Sequence, residues 1–203
     1  MSGRETLTKK PLETADQILS AARACFAADG YGATSLSAVA RAAGTSKQVV
    51  LHHFRSKDRL YLTVLASVQD ELTNWIEAVE AVVSDPTDQL WGLIGRLLEA
   101  ENQQLVQLTL RALLEVEASS PVTSSWPLKP FVEKLRAFAS AASSGGKASE
   151  ARAFAIVYGL LGSVSYYLIS RETLTGMYGA TAHQKMERCF RQEVRSQLED
   201  LKR

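Results

Sequence analysis

The sequence predicts an all-α chain: a short N-terminal three-helix unit followed by a longer helical domain. Three observations lead there. Apolar residues recur at helical spacing in segment after segment. Val, Ile and Thr nowhere alternate with period two, so essentially no sheet is expected. The run from Thr34 to Lys57 reads as two short helices hinged at Gly44.

The elements follow in order. Ile18, Ala22, Cys25 and Phe26 share one face of a helix from about Glu13 to Ala28, and Asp29-Gly30-Tyr31-Gly32 is a turn sequence. Thr34 or Ser35 supplies the side-chain oxygen that caps a second helix, whose apolar face is Leu36, Val39, Ala40 and Ala43. Gly44 ends it, because a residue without Cβ takes positive φ without steric cost. Thr45 or Ser46 then caps a third helix through Phe54, with Ala40 and Gly44 small where the two helices approach. Two short helices meeting at a steep angle form the unit that seats its second helix in the major groove of DNA. Ser56 caps a long amphipathic helix, expected from Lys57 to about Val83, with Leu60, Val64, Leu65, Val68, Leu72, Trp75 and Val79 on its buried side.

Further on, Asp85-Pro86-Thr87-Asp88 opens a helix to about Glu101, and another covers Gln103 to Val116. Pro127 and Pro130 open one that fades at Ser143-Ser144-Gly145-Gly146. A long apolar helix spans Ser149 to about Arg171, and an amphipathic one runs from Ala180 to Leu201. Val157, Leu160, Leu161, Val164, Tyr167 and Leu168 make one apolar stripe beside the small residues Gly159, Gly162, Ser163 and Ser165. Met186, Phe190, Val194, Leu198 and Leu201 make another. Such stripes either pack inside the protomer or meet a second copy.

Composition narrows the class. The chain has 203 residues, 46% hydrophobic, enough for one or two domains with a sizeable core. Its net charge of +1 hides an asymmetry: residues 1–57 carry +4 and residues 58–203 carry −3. The basic part is the part that reads as a DNA-binding unit, where phosphate neutralisation supplies salt-sensitive affinity. Arg4, Lys9 and Lys10 form a solvated tail or an arm for the minor groove. No N-terminal signal sequence is apparent. The most apolar stretch, Ala153 to Ile169, is interrupted by Tyr158, Gly159, Gly162, Ser163 and Ser165, so no membrane span is expected and a cytoplasmic location is. Cys25 and Cys189 sit in apolar helical patterns and read as buried, inert thiols. His52 and His53 are adjacent, and neighbouring positions on a helix diverge; with His183 isolated, neither a metal site, a cofactor nor a catalytic constellation is expected.

The set Ile18-Leu19-Ser20-Ala21-Ala22, Phe26, Gly30-Tyr31, Thr34-Ser35, Val39-Ala40, Ala43-Gly44, Ser46, His53-Phe54 and Ser56-Lys57 resembles the DNA-binding domain of the TetR family of transcriptional regulators. The resemblance is close over about residues 13–65; beyond residue 80 only length and helical character match. It implies a helix-turn-helix DNA-binding domain over residues 11–60 and an effector-binding and dimerisation domain over residues 61–203. It also implies that Ser46, Lys47, Gln48 and Val49 face the major groove, while Ser35, Ser37, Leu51, His53 and Lys57 lie around the groove and backbone. A Gln48 amide can pair with adenine N6 and N7, and Lys47 can reach guanine or a phosphate. The chain departs from the family where Gln48 replaces a common glycine, Val49 a threonine and Leu51 a tyrosine. Val50 and Leu51 thereby give an apolar reading helix suited to thymine methyl groups.

The family resemblance further implies a homodimer paired through the last two long helices, a double-stranded operator, and a small-molecule effector that weakens operator binding. The effector-pocket candidates are Trp91, Gln103, Gln107, Arg111, Trp126, Phe131, Tyr158 and Tyr166, which combine apolar surface with a few polar groups. The signal would pass along the helix that starts at Lys57. Repression is the expected outcome. Activation, or less readily a helical protein-binding scaffold, is the alternative.

Overall fold

A computed structural model describes residues 11–114, 128–143 and 147–202, and these are helical nearly throughout, with no strand among them. The order is α1 (Pro11–Ala33), α2 (Leu36–Ala42), α3 (Lys47–Phe54), α4 (Lys57–Glu80), α5 (Pro86–Leu97), α6 (Gln103–Leu114), α7 (Lys129–Ala142), α8 (Lys147–Tyr178) and α9 (Ala180–Glu199). Arg4, Lys9, Lys10, Val116, Trp126 and Pro127 lie outside the described residues.

Local chemistry sets the helix ends. Gly30 (φ 78°) breaks α1 into a long helix and a final turn at the expected place. Asp85 caps α5 by accepting the Thr87 and Asp88 N–H groups at 2.9 and 3.0 Å, and these bonds hold its carboxyl below the usual range. α5 stops at Leu97 rather than Glu101. A short 3₁₀ turn over Ala100–Asn102 follows, and the Asn102 amide donates to the Arg96 carbonyl at 2.8 Å, supplying a partner that the helix end lacks. α4 likewise ends at Glu80, three residues before Val83. α8 is longer than the sequence suggested: it continues past Arg171 to Tyr178 and stops at Gly179, whose φ of 81° a side chain would strain.

One continuous core runs through the chain. Ile18, Ala22, Phe26, Val39 and Val50 close the N-terminal unit onto Leu60, Tyr61 and Val64 of α4. Leu72, Leu93, Leu105, Leu135, Val157, Leu168 and Leu198 continue it through the remaining helices. The α4 stripe is buried as expected, with Tyr61 and Ile76 added and Trp75 only half-buried. α6 lies along α1 more extensively than any other helix pair, and α8 packs on α7, α9 and α6. Polar ties fix α9 against α5: Arg191 donates to the Leu98 carbonyl at 3.0 Å, and Arg195 pairs with Asp88 at 2.5 Å.

The two apolar stripes belong largely to the protomer. Val157, Leu160, Val164, Tyr167 and Leu168 of α8, and Val194, Leu198 and Leu201 at the C-terminal end, are buried within one chain. Phe190 is half-buried and stacks on Tyr167 at 4.9 Å, whereas Met186 is exposed. α8 is apolar on its outward side too: Tyr158, Tyr166, Ile169, Met177 and Tyr178 are exposed. As a result its stretch Glu150–Tyr178 contains an 18-residue window with a mean hydropathy of 1.6, long and apolar enough by length and composition alone to cross a membrane, where the sequence-based expectation was of no such run. The small residues that interrupt it do not lower its average enough, because glycine, serine and tyrosine cost little on such a scale. Cys189 is exposed rather than buried. Cys25 is half-buried, and burial, helped by the Asp29 charge, pushes its thiol pKa up.

Candidate nucleic-acid interface

The interface is assembled by two capped helices and a glycine between them. The Ala38 N–H donates to Ser35 Oγ at 3.1 Å, making Ser35 the N-cap of α2. Thr34 plays a different part. Its buried hydroxyl donates to the Gly30 carbonyl at 2.6 Å and lies 3.2 Å from the Cys25 carbonyl, securing the frayed end of α1. At the far end of α2 the Thr45 N–H reaches the Ala40 carbonyl (2.9 Å) and the Gly44 N–H the Arg41 carbonyl (3.2 Å). This paired closure requires a left-handed residue, which Gly44 supplies at φ 63°. No other atom lies within 4 Å of where a Gly44 Cβ would stand, so backbone conformation, not close helix approach, is what demands glycine there. Ser46 caps α3, receiving the Val49 N–H at 3.3 Å.

α3 divides cleanly into faces. Val50 is fully buried and anchors the helix to the core, so it cannot touch thymine methyl groups as expected from the sequence. Val49 and His53 are half-buried, with Val49 packed against the core. Lys47, Gln48, Leu51 and His52 are exposed, and the pairs Lys47/Leu51 and Gln48/His52 stack one turn apart on the same outer surface. His52 therefore shares the reading face more fully than His53, whose ring lies edge-on to it at 5.4 Å. The i,i+4 spacing from Gln48 carried that signal in the sequence.

Lys57 is committed elsewhere first. Its Nζ donates to the Gly32 carbonyl at 3.2 Å and sits 4.3 Å from the centre of the Tyr31 ring. Tyr31 in turn donates its hydroxyl to Asp58, and its ring lies 5.0 Å from that of Tyr61. The α1 turn is thereby clasped to the start of α4, which fixes the unit that carries α3. Burial, then the hydrogen bond and charge of Asp58, push the Tyr31 pKa up to about 12 from 10.0. A tyrosine that holds its proton more tightly when folded contributes stability that is full below pH 10 and lost as pH rises through about 12. Alkaline unfolding followed by circular dichroism should therefore show a stability loss in that window, and Tyr31→Phe should reduce its slope. An unchanged slope would mean that the clasp contributes nothing. Tyr167 is shifted to about 12 as well, so part of the loss should survive the substitution.

No acidic residue occurs between Asp29 and Asp58, so α2, α3 and the turn between them carry no acidic side chain of their own. Arg41, Arg55 and Arg59, which no motif in the sequence marked, are all exposed, and none is in an ion pair among the described residues. Arg55 stands at φ 64°, the one described non-glycine residue in the left-handed region. Ser35 and Ser37, at the start of α2, are both exposed.

The residues expected to form an effector pocket do not converge. Phe131 alone of them lines an apolar cleft, together with Leu72, Leu105, Thr109, Leu161 and Ser165 among others. Tyr158 and Tyr166 point outward from α8 and are 65% and 69% exposed, because they lie on the side of that helix opposite its buried stripe. Trp91 lies under the Arg195 guanidinium at 5.7 Å, between α5 and α9. Gln103 borders a shallow surface depression with Arg171, and Gln107 and Arg111 flank a groove beside Ala27 and Ala28 of α1. Trp126 falls outside the described residues. The cleft escaped notice because its walls come from α4, α6, α7 and α8, which only the tertiary fold brings together.

Residues 18–64 match the model of the bacterial regulatory proteins of the tetR family. The chain is 30% identical over 89 residues to the HTH-type transcriptional repressor AcnR of Corynebacterium glutamicum, a match covering 40% of this chain and 47% of that protein. The chain thus spans about half the length of that relative. A transcriptional regulator from Rhodococcus sp. Rha1 has the same fold, with a TM-score of 0.70 at 20% identity over 92% of this chain and 95% of the other. AibR, solved with isovaleryl coenzyme A and operator DNA, superposes with a TM-score of 0.62 at 17% identity, over 76% of this chain and 85% of its own.

Proposed function

We propose that this chain, whose residues 18–64 match the model of the tetR family of bacterial regulatory proteins, is a cytoplasmic, dimeric transcriptional repressor of that family, released from its operator by a small molecule. The observation that carries the reading is the outer face of α3. Lys47, Gln48, Leu51 and His52 stand exposed on a capped helix within a segment, residues 30–57, that has no acidic side chain, while Val50 locks the helix to the core. Such a helix fits the major groove, with Gln48 and Lys47 supplying hydrogen bonds to base edges and Leu51 an apolar contact. Ser35, Ser37, Ser46, Val49, His53 and Lys57 flank it, with Arg41, Arg55 and Arg59 as further phosphate partners. The DNA-reading unit covers residues 11–60, and residues 61–203 hold the effector and the partner subunit. α4 runs through the boundary and belongs to both.

A second copy meets the outward face of α8 together with α9. The buried stripes already serve the protomer, so the residues left for the partner are Tyr158, Gly159, Gly162, Tyr166 and Ile169. The effector enters the cleft between α4, α6, α7 and α8, and binding there shifts the spacing of the two reading helices. The direct route to them is α6 onto α1, in addition to the long helix α4.

Operator binding tests the reading. Fragments from upstream of the chain's own gene should bind the full-length protein in a salt-dependent manner. Gln48→Ala and Lys47→Ala should each weaken specific binding by about ten- to a hundredfold, on the scale of 1–3 kcal/mol for a base contact. Binding that ignored both substitutions and salt would instead favour a protein-binding scaffold.

A further inference from the structure

The lining of the effector cleft dictates what kind of molecule it takes. The cleft holds about 570 Å³ of empty space, open mouth included. Among the described residues, eleven line it; none of these is charged, and nine are aliphatic or aromatic. The two exceptions are hydroxyls. Thr109 donates its proton to the Leu105 carbonyl at 2.8 Å, so only its oxygen can serve a ligand, as an acceptor. Ser165, on α8, is the other hydroxyl of the lining.

These facts constrain the ligand by charge and polarity. A carboxylate or phosphate moved into a wall without a cation loses its hydration with no compensating partner, which is a severe penalty. Leucine, valine and phenylalanine side chains make up the rest of the wall, which suits an aliphatic chain. One or two hydroxyls in an otherwise aliphatic wall orient a single uncharged polar group. Arg96, Arg111 and Lys129 each adjoin a lining residue in sequence, yet none of them lines the cleft; Arg111 borders the adjoining groove on the α1 side, where it holds the Ala28 carbonyl.

We infer that the cleft binds an uncharged aliphatic molecule with one hydroxyl or carbonyl group, held at Ser165 and Thr109, and discriminates against the corresponding carboxylate and coenzyme A thioester. The inference rests on the effector reading, and its test separates the two. Calorimetric titration of the full chain at pH 8 would use 1-octanol, octanoate and octanoyl coenzyme A as probes. 1-Octanol should bind at least tenfold more tightly than either charged probe. Ser165→Ala should weaken it about three- to tenfold, the scale of one net hydrogen bond. Leu161→Trp and Val132→Trp, both at half-buried wall positions that can accept a larger ring, should each abolish binding by filling the cleft.

Equal or tighter binding of octanoate or octanoyl coenzyme A would overturn the inference. So would the absence of any 1-octanol binding, or binding that neither tryptophan substitution disturbs. Operator titrations run beside it tell the two readings apart. Octanol that fills the cleft without altering operator affinity leaves this inference standing and removes the effector-driven repressor. A charged probe that enters the cleft and releases operator does the reverse.

Discussion

Gly162→Glu should convert the proposed dimer into a folded monomer and lower operator affinity by at least a hundredfold. Gly162 lies in the middle of the 32-residue helix α8, is exposed, and has no other atom within 4 Å of where its Cβ would stand. Within the protomer nothing requires a glycine there, and alanine would favour the helix by about 1 kcal/mol. The absence of a side chain is useful only if another surface comes close. Gly159, one turn before it, has the same open surroundings, and Tyr158 and Tyr166 flank the pair on the same outward face. Glutamate would place a charge at the centre of that contact while leaving the buried stripe of Val157, Leu160 and Val164 untouched. Two linked reading heads gain a factor of about 10²–10⁴ over one, so the loss of pairing should appear directly in DNA binding. Sedimentation should give the monomer mass, with the protomer's melting temperature not lowered by core damage. A variant that stays dimeric with full operator affinity would place the interface elsewhere.

The same helix explains what was legible in the sequence and what was not. Gly44, Ser46, Ser56 and Asp85 were readable because each acts within four residues of itself, where side-chain chemistry and φ decide the outcome. The N-terminal unit was readable as a whole because many such local signals occur at fixed spacing. Orientation was less certain: on α3 consecutive residues diverge by about 100°, so Val50 points into the core while Leu51 points out, and apolar character alone did not separate them. On α8 the difficulty was greater. That helix is apolar on both sides, so Val157 and Leu168, which fill the protomer core, looked no different from the neighbours left outside. The cleft could not be read at all, since Leu72, Leu105, Phe131 and Leu161 belong to four helices and share no sequence pattern.

Arg111→Ala should leave both operator and effector able to bind yet uncouple one from the other. α6 carries the two ends of the link. Leu105, Val106, Thr109 and Leu110 line the cleft, whereas Gln107 and Arg111 border α1, and Arg111 donates to the Ala28 carbonyl at 2.5 Å. Ala28 lies two residues before Gly30, where α1 breaks and the path to α2 and α3 begins. A ligand that shifts α6 by wedging the cleft therefore acts on the one carbonyl that a charged donor holds just ahead of the break, without having to bend α4. Couplings of this kind typically amount to about 5–150-fold in affinity, and by linkage the operator must weaken the effector by the same factor. In Arg111→Ala both factors should fall below about threefold, while each ligand alone keeps its affinity within a similar margin. Arg111→Lys, which retains one charged donor, should recover part of the coupling. Full coupling in the alanine variant would show that the signal travels through α4 instead, and loss of operator binding without effector would make Arg111 a structural support of the reader.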